Sequence, residues 1–360
     1  MKQRAHALRK GFFSAVILLL IFSFPFAASA NIVLKNDRGD EFDMTTLFKA
    51  ESFTSSTGTT LQYRIFLPED YNAAKKYPLI LFLHGAGERG NDNESQLKTG
   101  ICEPFKKVSS EIYDCIVLAP QCPADSKWVN VEQWTDCEYD SEKIPESAVL
   151  AAAVELFEQT KATYSVDPDR VYVTGLSMGG YGTWDLLVRH PDLFAAAMPL
   201  CGGADYRKAD LIRDIPIWTF HGSADPTVPP HGTERMVNEI IDTGGDECIY
   251  TVYENSAHNI WGPVYSRTDI LPWLLSKKLS DRLGSPSETA KQTEATETTA
   301  PTPTETTQPV TADEPPATES ETTEAPKNAS CKSSVGAAIP AMGAAAVFAA
   351  VATKKKKKED

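Results

Sequence analysis

The chain has 360 residues, and its 49 acidic side chains outnumber the 35 lysine and arginine side chains to give a formal net charge of −14. This balance excludes a protein that binds nucleic acid through a basic surface. The acidity says little about any binding site, because half of it lies in residues 285–330, which hold nine acidic side chains and two lysines.

The first 30 residues have the three parts of an export signal. Lys2 to Lys10 is a basic region, Phe12 to Phe26 is an apolar run, and Ala28 to Ala30 has the small residues of a cleavage site. No cysteine follows the cleavage point, so a lipid-modified N-terminus is not expected. We predict that residues 1–30 are a signal peptide and that the mature chain begins near Asn31.

The composition changes twice near the end of the chain. Residues 284–334 are rich in Thr, Pro and Glu and carry almost no large apolar side chains, which predicts a disordered spacer. Residues 335–353 are uncharged and just long enough to cross a bilayer, and residues 354–360 form a basic tail. We predict a secreted protein tethered to the membrane or cell wall by this C-terminal transmembrane segment, with a disordered alanine-rich tail as the alternative.

Residues 31–283 remain, and they suffice for one α/β domain with a large core. Thr60 to Pro68 alternates apolar and polar positions, which predicts an edge strand, whereas the continuously apolar Leu79 to Leu83 predicts a central parallel strand. A glycine-rich turn from His84 to Asn91 follows, and such a turn presents backbone N–H groups to the ligand crevice. His84 itself either contacts substrate or simply ends the strand.

The next predicted strand, Asp114 to Pro120, leads into a polar loop that carries Trp128 and Trp134. Neither helix nor strand periodicity explains two tryptophans in this loop. They either cap the hydrophobic core or form a stacking wall for an aromatic or sugar substrate. An alanine-rich amphipathic helix is predicted from Ser147 to Thr160.

The stretch from Arg170 to Trp184 carries the most informative pattern in the chain. Val171 to Val173 predicts a buried strand, and the spacing of the later apolar residues predicts a helix. Between them lies Gly175-Leu-Ser-Met-Gly179, a G-x-S-x-G sequence. Between a strand and a helix, this sequence holds a nucleophilic serine, here Ser177, at a strained corner above the sheet.

After this helix ends at Arg189, strands and helices continue to alternate. The periodicity predicts strands at 194–200, 216–220 and 249–253, and helices at 233–243 and 264–279. Buried strands that alternate with helices predict an α/β fold with a mostly parallel central sheet and helices on both faces.

The partners of Ser177 are chosen by chain order, since the acid and then the histidine follow the serine in sites of this kind. Asp225 lies in a turn directly after a predicted strand. The alternative acids lack this placement: Asp205, Asp210 and Asp214. Of the two histidines beyond Asp225, His231 begins a helix, whereas His258 follows the next strand at the same rim. We therefore predict Asp225 as the acid and His258 as the base.

These three residues suit nucleophilic catalysis. A serine hydroxyl becomes a good nucleophile when an imidazole removes its proton, and the acid fixes the imidazole tautomer and stabilises the imidazolium. The backbone N–H groups of Ala86 and Met178 are predicted to stabilise the tetrahedral oxyanion. The sequence thus predicts a nucleophile, a base, an acid and an oxyanion hole.

The predicted domain holds six cysteines: Cys102, Cys115, Cys122, Cys137, Cys201 and Cys248. Export permits disulfides, but the sequence leaves open whether some of these residues pair or all remain buried thiols. No C-x-x-C pair indicates a zinc site, so no metal is predicted.

The domain resembles α/β-hydrolases of the esterase branch, which include feruloyl and acetylxylan esterases, polyhydroxybutyrate depolymerases and phospholipase/carboxylesterase-like enzymes. It also resembles peptidases of the prolyl-oligopeptidase clan. The resemblance covers about residues 50–280 and rests on these motifs: Leu83-His-Gly-Ala-Gly87, Ala119-Pro-Gln121, Gly175-Leu-Ser-Met-Gly-Gly180, His221-Gly-Ser-Ala-Asp225 and Ala257-His258. It implies an α/β-hydrolase fold, Ser177, Asp225 and His258 as the triad, and no metal or organic cofactor.

The same resemblance implies an extracellular serine hydrolase that cleaves carboxylic esters, with feruloyl or acetyl groups on plant polysaccharide as the expected substrate. A serine peptidase is the alternative. Prolyl oligopeptidases carry a large β-propeller, and none is expected before residue 50, so ester hydrolysis is favoured. A third hypothesis is an inactive scaffold that binds glycan through Trp128 and Trp134. The intact set of Ser177, Asp225 and His258 weighs against it.

Overall fold

Residues 31–283, the part of the chain that the computed structural model describes, contain ten strands in two sheets. The strands are β1 (Val33–Lys35), β2 (Glu41–Asp43), β3 (Lys49–Thr54), β4 (Thr60–Phe66), β5 (Tyr77–Leu83), β6 (Ile116–Gln121), β7 (Val166–Leu176), β8 (Ala196–Leu200), β9 (Ile217–Gly222) and β10 (Cys248–Tyr253). The predicted signal peptide, spacer, transmembrane segment and basic tail lie outside the described residues. Within residues 31–283, no helix has the length and apolar character needed to cross a membrane.

Eight strands form the central sheet, in the order β10-β9-β8-β7-β5-β6-β4-β3. The strands from β5 to β10 are parallel, whereas β4 runs antiparallel to β6 and β3 runs antiparallel to β4. The short strands β1 and β2 pair separately as an antiparallel ribbon. The predicted mostly parallel α/β sheet is confirmed.

The helices lie between and after these strands: α1 (Met44–Leu47), α2 (Cys102–Phe105), α3 (Ala148–Thr163), α4 (Met178–Arg189), α5 (Ala209–Ile212), α6 (His231–Asp242), α7 (Trp261–Tyr265), α8 (Ile270–Leu275) and α9 (Ser280–Leu283). The longest is α3, which begins as predicted, because the Ser147 hydroxyl accepts from the Leu150 N–H at 3.1 Å. A 3₁₀ turn at Ala86–Glu88 follows β5 and is separated from it by His84 and Gly85.

The central strands are buried on both faces of the sheet. In β5, Leu79, Leu81 and Leu83 pack in one hydrophobic cluster with α3 and α4, whereas Ile80 and Phe82 pack in a second cluster with α7 and α8. Successive side chains of a strand point to opposite faces, so a strand that is apolar at every position needs cover on both. Helices on the two faces provide that cover.

The predicted edge strand at 60–68 is not at an edge. Its counterpart β4 lies inside the sheet, because the residues of β3 add a further strand beyond it. Lys49 and Glu51 of β3 form an ion pair at 2.5 Å. Charged side chains on an outer strand oppose pairing with other chains, which suits β3 to the edge position.

The predicted helix at 264–279 is two short helices, α7 and α8. Pro272 explains the break, because a proline in the interior of a helix removes a hydrogen bond and clashes with the preceding turn. The chain instead begins a new helix at Ile270, which places Pro272 in the first turn, where a missing N–H costs nothing. Ile270 and Leu274 of α8 are buried.

The six cysteines of the described residues are free thiols. Five of them are buried, and Cys248 is half-buried. Burial raises the pKa of the Cys115 and Cys122 thiols to about 12, which keeps both protonated at neutral pH. Of the two alternatives for the cysteines, the structure therefore has the buried thiols.

Candidate active site

Ser177 occupies the turn between β7 and α4. Its backbone has φ +55° and ψ −117°, a conformation that residues other than glycine rarely adopt. The Ser177 N–H donates to the Leu200 carbonyl at 2.9 Å, and the Ser177 carbonyl accepts from the Tyr181 N–H at 3.1 Å. These bonds hold the strained turn, so the predicted strand, turn and helix around Ser177 are confirmed.

The glycines of the G-x-S-x-G sequence let three backbone segments meet at this turn. A Cβ on Gly179 would lie 1.9 Å from the Leu83 carbonyl oxygen, and a Cβ on Gly175 would lie 2.4 Å from the Gly179 carbonyl oxygen. No side chain fits at either position. The absence of side chains here brings the end of β5, and the turn that follows it, close to Ser177.

The side chains of Ser177, His258 and Asp225 form one hydrogen-bonded chain. His258 Nε2 lies 2.8 Å from Ser177 Oγ, and His258 Nδ1 lies 2.6 Å from Asp225 Oδ2. When Nδ1–H donates a hydrogen bond to Asp225, Nε2 is available to accept the serine proton. The structure thus brings together the three residues that the sequence analysis selected.

Loops at one edge of the central sheet carry these residues. Ser177 follows β7, Asp225 follows β9 and His258 follows β10, and the carboxyl ends of parallel strands share one edge of a sheet. The last two loops are joined directly, because the Ala224 N–H donates to the Ser256 carbonyl at 3.0 Å. The acid and the base are therefore held at a fixed separation.

Asp225 is held as a carboxylate. Its Oδ1 accepts from the N–H groups of Thr227 at 2.8 Å and Val228 at 3.0 Å, and its Oδ2 faces His221 and His258. Burial alone would raise the pKa of Asp225, but the hydrogen bonds from these groups outweigh burial and hold the pKa well below its usual range. An anionic Asp225 can stabilise a positive charge on His258.

The two N–H groups predicted for the oxyanion hole lie in segments next to Ser177. Met178 is the first residue of α4, so its N–H belongs to the turn in which N–H groups have no acceptor within the helix. Ala86 follows Gly85, and a Cβ on Gly85 would lie 3.6 Å from the Ser177 Cβ. Their role as oxyanion donors stays a prediction.

His84 is fully buried, so the prediction that it contacts substrate is wrong. Its Nε2 accepts from the Cys122 N–H at 2.9 Å, which places the ring proton on Nδ1, and Nδ1 donates to the Gly85 carbonyl at 2.6 Å. The Gly85 carbonyl and the Ala86 N–H belong to one planar trans peptide and point in opposite directions. His84 thus orients the peptide that carries one predicted oxyanion donor.

We expect His84 to make the free energy of unfolding depend on pH. Burial lowers the pKa of His84 from 6.5 to about 4. Between these values the unfolded chain takes up a proton that the folded chain does not, so stability falls as the pH falls, by up to about 3 kcal/mol. Denaturant unfolding at about pH 7 and about pH 4 measures the loss.

The matched variant for this measurement is His84→Asn. An asparagine amide can still donate near the Gly85 carbonyl but does not titrate, so the variant should lose less stability than the wild type on acidification. The comparison concerns the change with pH, which any constant loss of packing leaves unaffected. Equal pH dependence in the two proteins would contradict the assignment of this proton to His84.

Trp128 belongs to the core, and the prediction that it contacts substrate is wrong. The ring is fully buried, and Nε1–H donates to the His84 carbonyl at 3.0 Å. Trp134 is half-buried; its ring centroid lies 5.8 Å from that of Tyr181, and Lys127 Nζ lies 4.9 Å from its centre. The core cap is therefore the correct alternative for Trp128, and Trp134 keeps an accessible surface.

Two residues to which the sequence analysis gave no role lie beside the candidate triad. Trp261 is half-buried and stands edge-on to His258, with 5.4 Å between the ring centroids. His221 is fully buried, with Nε2 3.3 Å from Asp225 Oδ2. The available signals were weak: Trp261 is three residues beyond the predicted base, and His221 opens the turn that contains the predicted acid.

The rejected alternatives have other partners. His231 Nε2 lies 3.1 Å from Cys137 Sγ rather than near the serine. Asp205 is fully buried, accepts from the Ser141 hydroxyl at 2.7 Å and forms an ion pair with Arg207 at 2.7 Å. Neither residue takes part in the hydrogen-bonded chain that includes Ser177.

Within residues 31–283, one group of three metal-binding side chains comes together. Atoms of Cys201, His221 and Asp225 lie within 4.8 Å of one another, and all three residues are buried. His221 and Asp225 already use these atoms in hydrogen bonds and ionic contacts. An ion at this place would therefore displace the contacts that orient Asp225.

Residues 54–323 match the family model Esterase, described as "Putative esterase". A solved crystal structure of a thermostable esterase is 34% identical, with a TM-score of 0.59, and the match covers 69% of this chain and 70% of that chain. This similarity agrees with the α/β-hydrolase fold that the resemblance implied.

Curated relatives match shorter parts of the chain. Poly(3-hydroxyalkanoate) depolymerase C from Paucimonas lemoignei is 32% identical over 25% of this chain and 29% of its own length. Probable feruloyl esterase C from Aspergillus terreus is 25% identical over 51% of this chain and 62% of its own length. A bifunctional acetylxylan esterase/xylanase from Neocallimastix patriciarum is 24% identical over 48% of this chain and 22% of its own length. The chain spans less than two thirds of each of these relatives.

Proposed function

The chain belongs to the Esterase family, and from that premise we propose that it hydrolyses carboxylic esters with Ser177 as the nucleophile. The observation that carries the proposal is the hydrogen-bonded chain from Ser177 Oγ through His258 to Asp225 Oδ2, with distances of 2.8 and 2.6 Å. A serine, an imidazole and a carboxylate in this order are the groups that acyl transfer to a hydroxyl needs.

In the first step, Ser177 Oγ bonds to the ester carbonyl carbon while His258 Nε2 takes the hydroxyl proton. The carbonyl oxygen becomes negative, and the N–H groups of Ala86 and Met178 stabilise it. Loss of one such donor typically costs about 3–4 kcal/mol of transition-state stabilisation. His258 then gives its proton to the departing alcohol, and the acyl group stays on Ser177.

In the second step, a water molecule replaces the alcohol. His258 takes a proton from the water, whose oxygen bonds to the acyl carbon, and then returns a proton to Ser177 as the carboxylic acid leaves. Asp225 stabilises the imidazolium in both steps. Because its pKa is held well below the usual range, Asp225 remains an anion at neutral and mildly acidic pH.

The proposed substrate is an acyl ester on plant polysaccharide, such as a feruloyl or acetyl ester. Two relatives are named as a feruloyl esterase and an acetylxylan esterase/xylanase. Trp261 also supports this choice. The Trp261 ring lies 5.4 Å from the His258 ring and offers an aromatic surface beside the proposed base.

The proposed location is the outside of the cell. The basic, apolar and small-residue regions of residues 1–30 support export, and residues 335–353 with the basic tail support attachment at the cell surface. Such a location suits a polymeric substrate, which cannot enter a cell.

A protein truncated before residue 335 is expected to be released from the cell surface into the medium. Cell fractionation measures the released and the bound protein.

Parallel release assays on the purified protein test the substrate class. We expect hydrolysis of nitrophenyl acetate and release of ferulate or acetate from feruloylated or acetylated xylan, because esters have better leaving groups than amides. A proline-containing peptide amide should remain uncleaved. Chromatography of the released acids and amines measures all of these reactions.

The alternatives give different results in the same assays. Cleavage of the amide without cleavage of any ester would replace the esterase by a serine peptidase. Binding to xylan without any hydrolysis would favour an inactive glycan-binding scaffold. Trp134→Ala beside Trp134→Phe separates the contribution of the half-buried Trp134 ring, since a stacking role predicts a higher KM for xylan only in the alanine variant.

A further inference from the structure

His221 is a second histidine in contact with the acid of the proposed triad. Its Nε2 lies 3.3 Å from Asp225 Oδ2, the oxygen that His258 Nδ1 contacts at 2.6 Å. The same Nε2 lies 2.9 Å from the Val228 carbonyl oxygen. A ring nitrogen that faces two oxygen acceptors must carry a proton, so the Nε2–H of His221 is shared between Asp225 and Val228.

The other nitrogen of His221 also has a partner. Nδ1 lies 2.9 Å from Thr233 Oγ1, and Thr233 Oγ1 lies 2.8 Å from the Gly202 carbonyl oxygen. With the ring proton on Nε2, the Thr233 hydroxyl can donate to Nδ1. Contacts at both nitrogens therefore fix the plane of the His221 ring.

On the basis of the proposed function, we propose that His221 is a positioning residue for Asp225. Its Nε2–H holds Asp225 Oδ2 in place beside His258. The ring is fully buried and is carried by β9, which places a rigid donor behind a carboxylate that itself sits in a loop. Nothing in the ester-hydrolysis steps requires His221 to touch the substrate.

Cys201, at the end of β8, is the third member of this buried group. Burial raises the pKa of Cys201 far above its usual range, so this thiol is neutral. The charged group that the Nε2–H of His221 contacts is therefore Asp225.

Two variants of the full-length protein separate positioning from packing. His221→Leu removes the donor, and we expect kcat for nitrophenyl acetate to fall about 10- to 100-fold while KM stays within about twofold. His221→Gln keeps an amide N–H near the position of Nε2. We expect it to recover most of the wild-type kcat.

The split between kcat and KM provides a readout that a purely structural role would not change, because a misplaced Asp225 slows the chemical step without weakening substrate binding. The control is His190→Gln, which alters a half-buried histidine paired with Glu146 at 3.0 Å, and should match the wild type in both kcat and KM.

Several outcomes would overturn the proposal. A folded His221→Leu with kcat within twofold of the wild type removes the positioning role, and so does a loss that His221→Gln fails to recover. If His221→Leu does not fold, His221→Gln decides the matter, because a folded His221→Gln with kcat more than about tenfold below the wild type removes the positioning role. Absence of ester turnover in the wild type would instead refute the proposed function. Thermal melting of each variant establishes which proteins are folded.

Discussion

Ser177→Ala is expected to lower kcat for nitrophenyl acetate by about 10⁶-fold. The Ser177 hydroxyl lies 2.8 Å from the nitrogen that would remove its proton, and no acyl-enzyme can form once that oxygen is gone. Any residual rate would come from the oxyanion donors and from water activated by His258. Steady-state kinetics measure the loss, and the mass of the acid-quenched protein should show an acyl adduct only in the wild type.

Ser256→Ala is the matched control for Ser177→Ala. Ser256 is half-buried in the loop before His258, and its hydroxyl donates to the Glu254 carbonyl at 3.4 Å. We expect kcat within about twofold of the wild type. Equal turnover by Ser177→Ala and the wild type would exclude Ser177 as the nucleophile. An acyl adduct on another residue of Ser177→Ala would point to the same conclusion.

Gly179→Ala is expected to lower the free energy of unfolding by at least about 3 kcal/mol. The new Cβ would lie 1.9 Å from the Leu83 carbonyl oxygen and 2.5 Å from the Leu83 carbonyl carbon. These are backbone atoms of a central strand, so they cannot move aside as a flexible side chain would. The turn between β7 and α4 would have to move away from β5, and this movement would also displace Ser177. Denaturant unfolding curves of the purified proteins measure the loss.

Gly262→Ala provides the control for a glycine-to-alanine change in a helix. A Cβ on Gly262 would meet no atom within 4 Å, so this change should leave stability equal or raise it by about 0.5–1 kcal/mol. A Gly179→Ala protein as stable as Gly262→Ala would mean that α4 and β5 approach less closely than the structure has them.

The sequence predicts the structure best around Ser177, where the features that determine the fold lie close together in the chain. The apolar run before Ser177, the glycines around it and the helix that follows are all local features, so their structure could be predicted. Asp225 and His258 could be selected because parallel strands place their following loops at one edge of the sheet. Chain order then left few choices, and the structure brings these side chains within hydrogen-bond distance.

Side-chain direction and burial could not be predicted in the same way. Trp128 and His84 lie in polar or glycine-rich segments, yet both are fully buried and joined by a hydrogen bond between the Trp128 ring and the His84 carbonyl. That contact depends on the fold of a long loop over the sheet, which leaves no periodic trace in the sequence. The edge strand β3 was not predicted for a different reason. Lys49 and Glu51 give its sequence a polar character, and the pairing with β4 that makes it a strand is a tertiary contact.

Ser177 and His258, the proposed donor and acceptor of the serine proton, follow strands with different numbers of neighbours in the sheet. Ser177 follows β7, which has β5 and β8 on its two sides, whereas His258 follows β10, which within the described residues pairs with β9 alone. Outer strands detach at a smaller free-energy cost than inner ones. Moderate heating is therefore expected to abolish activity by local unfolding of β10, which releases His258 while the turn at Ser177 stays folded. Cooling would then restore the activity.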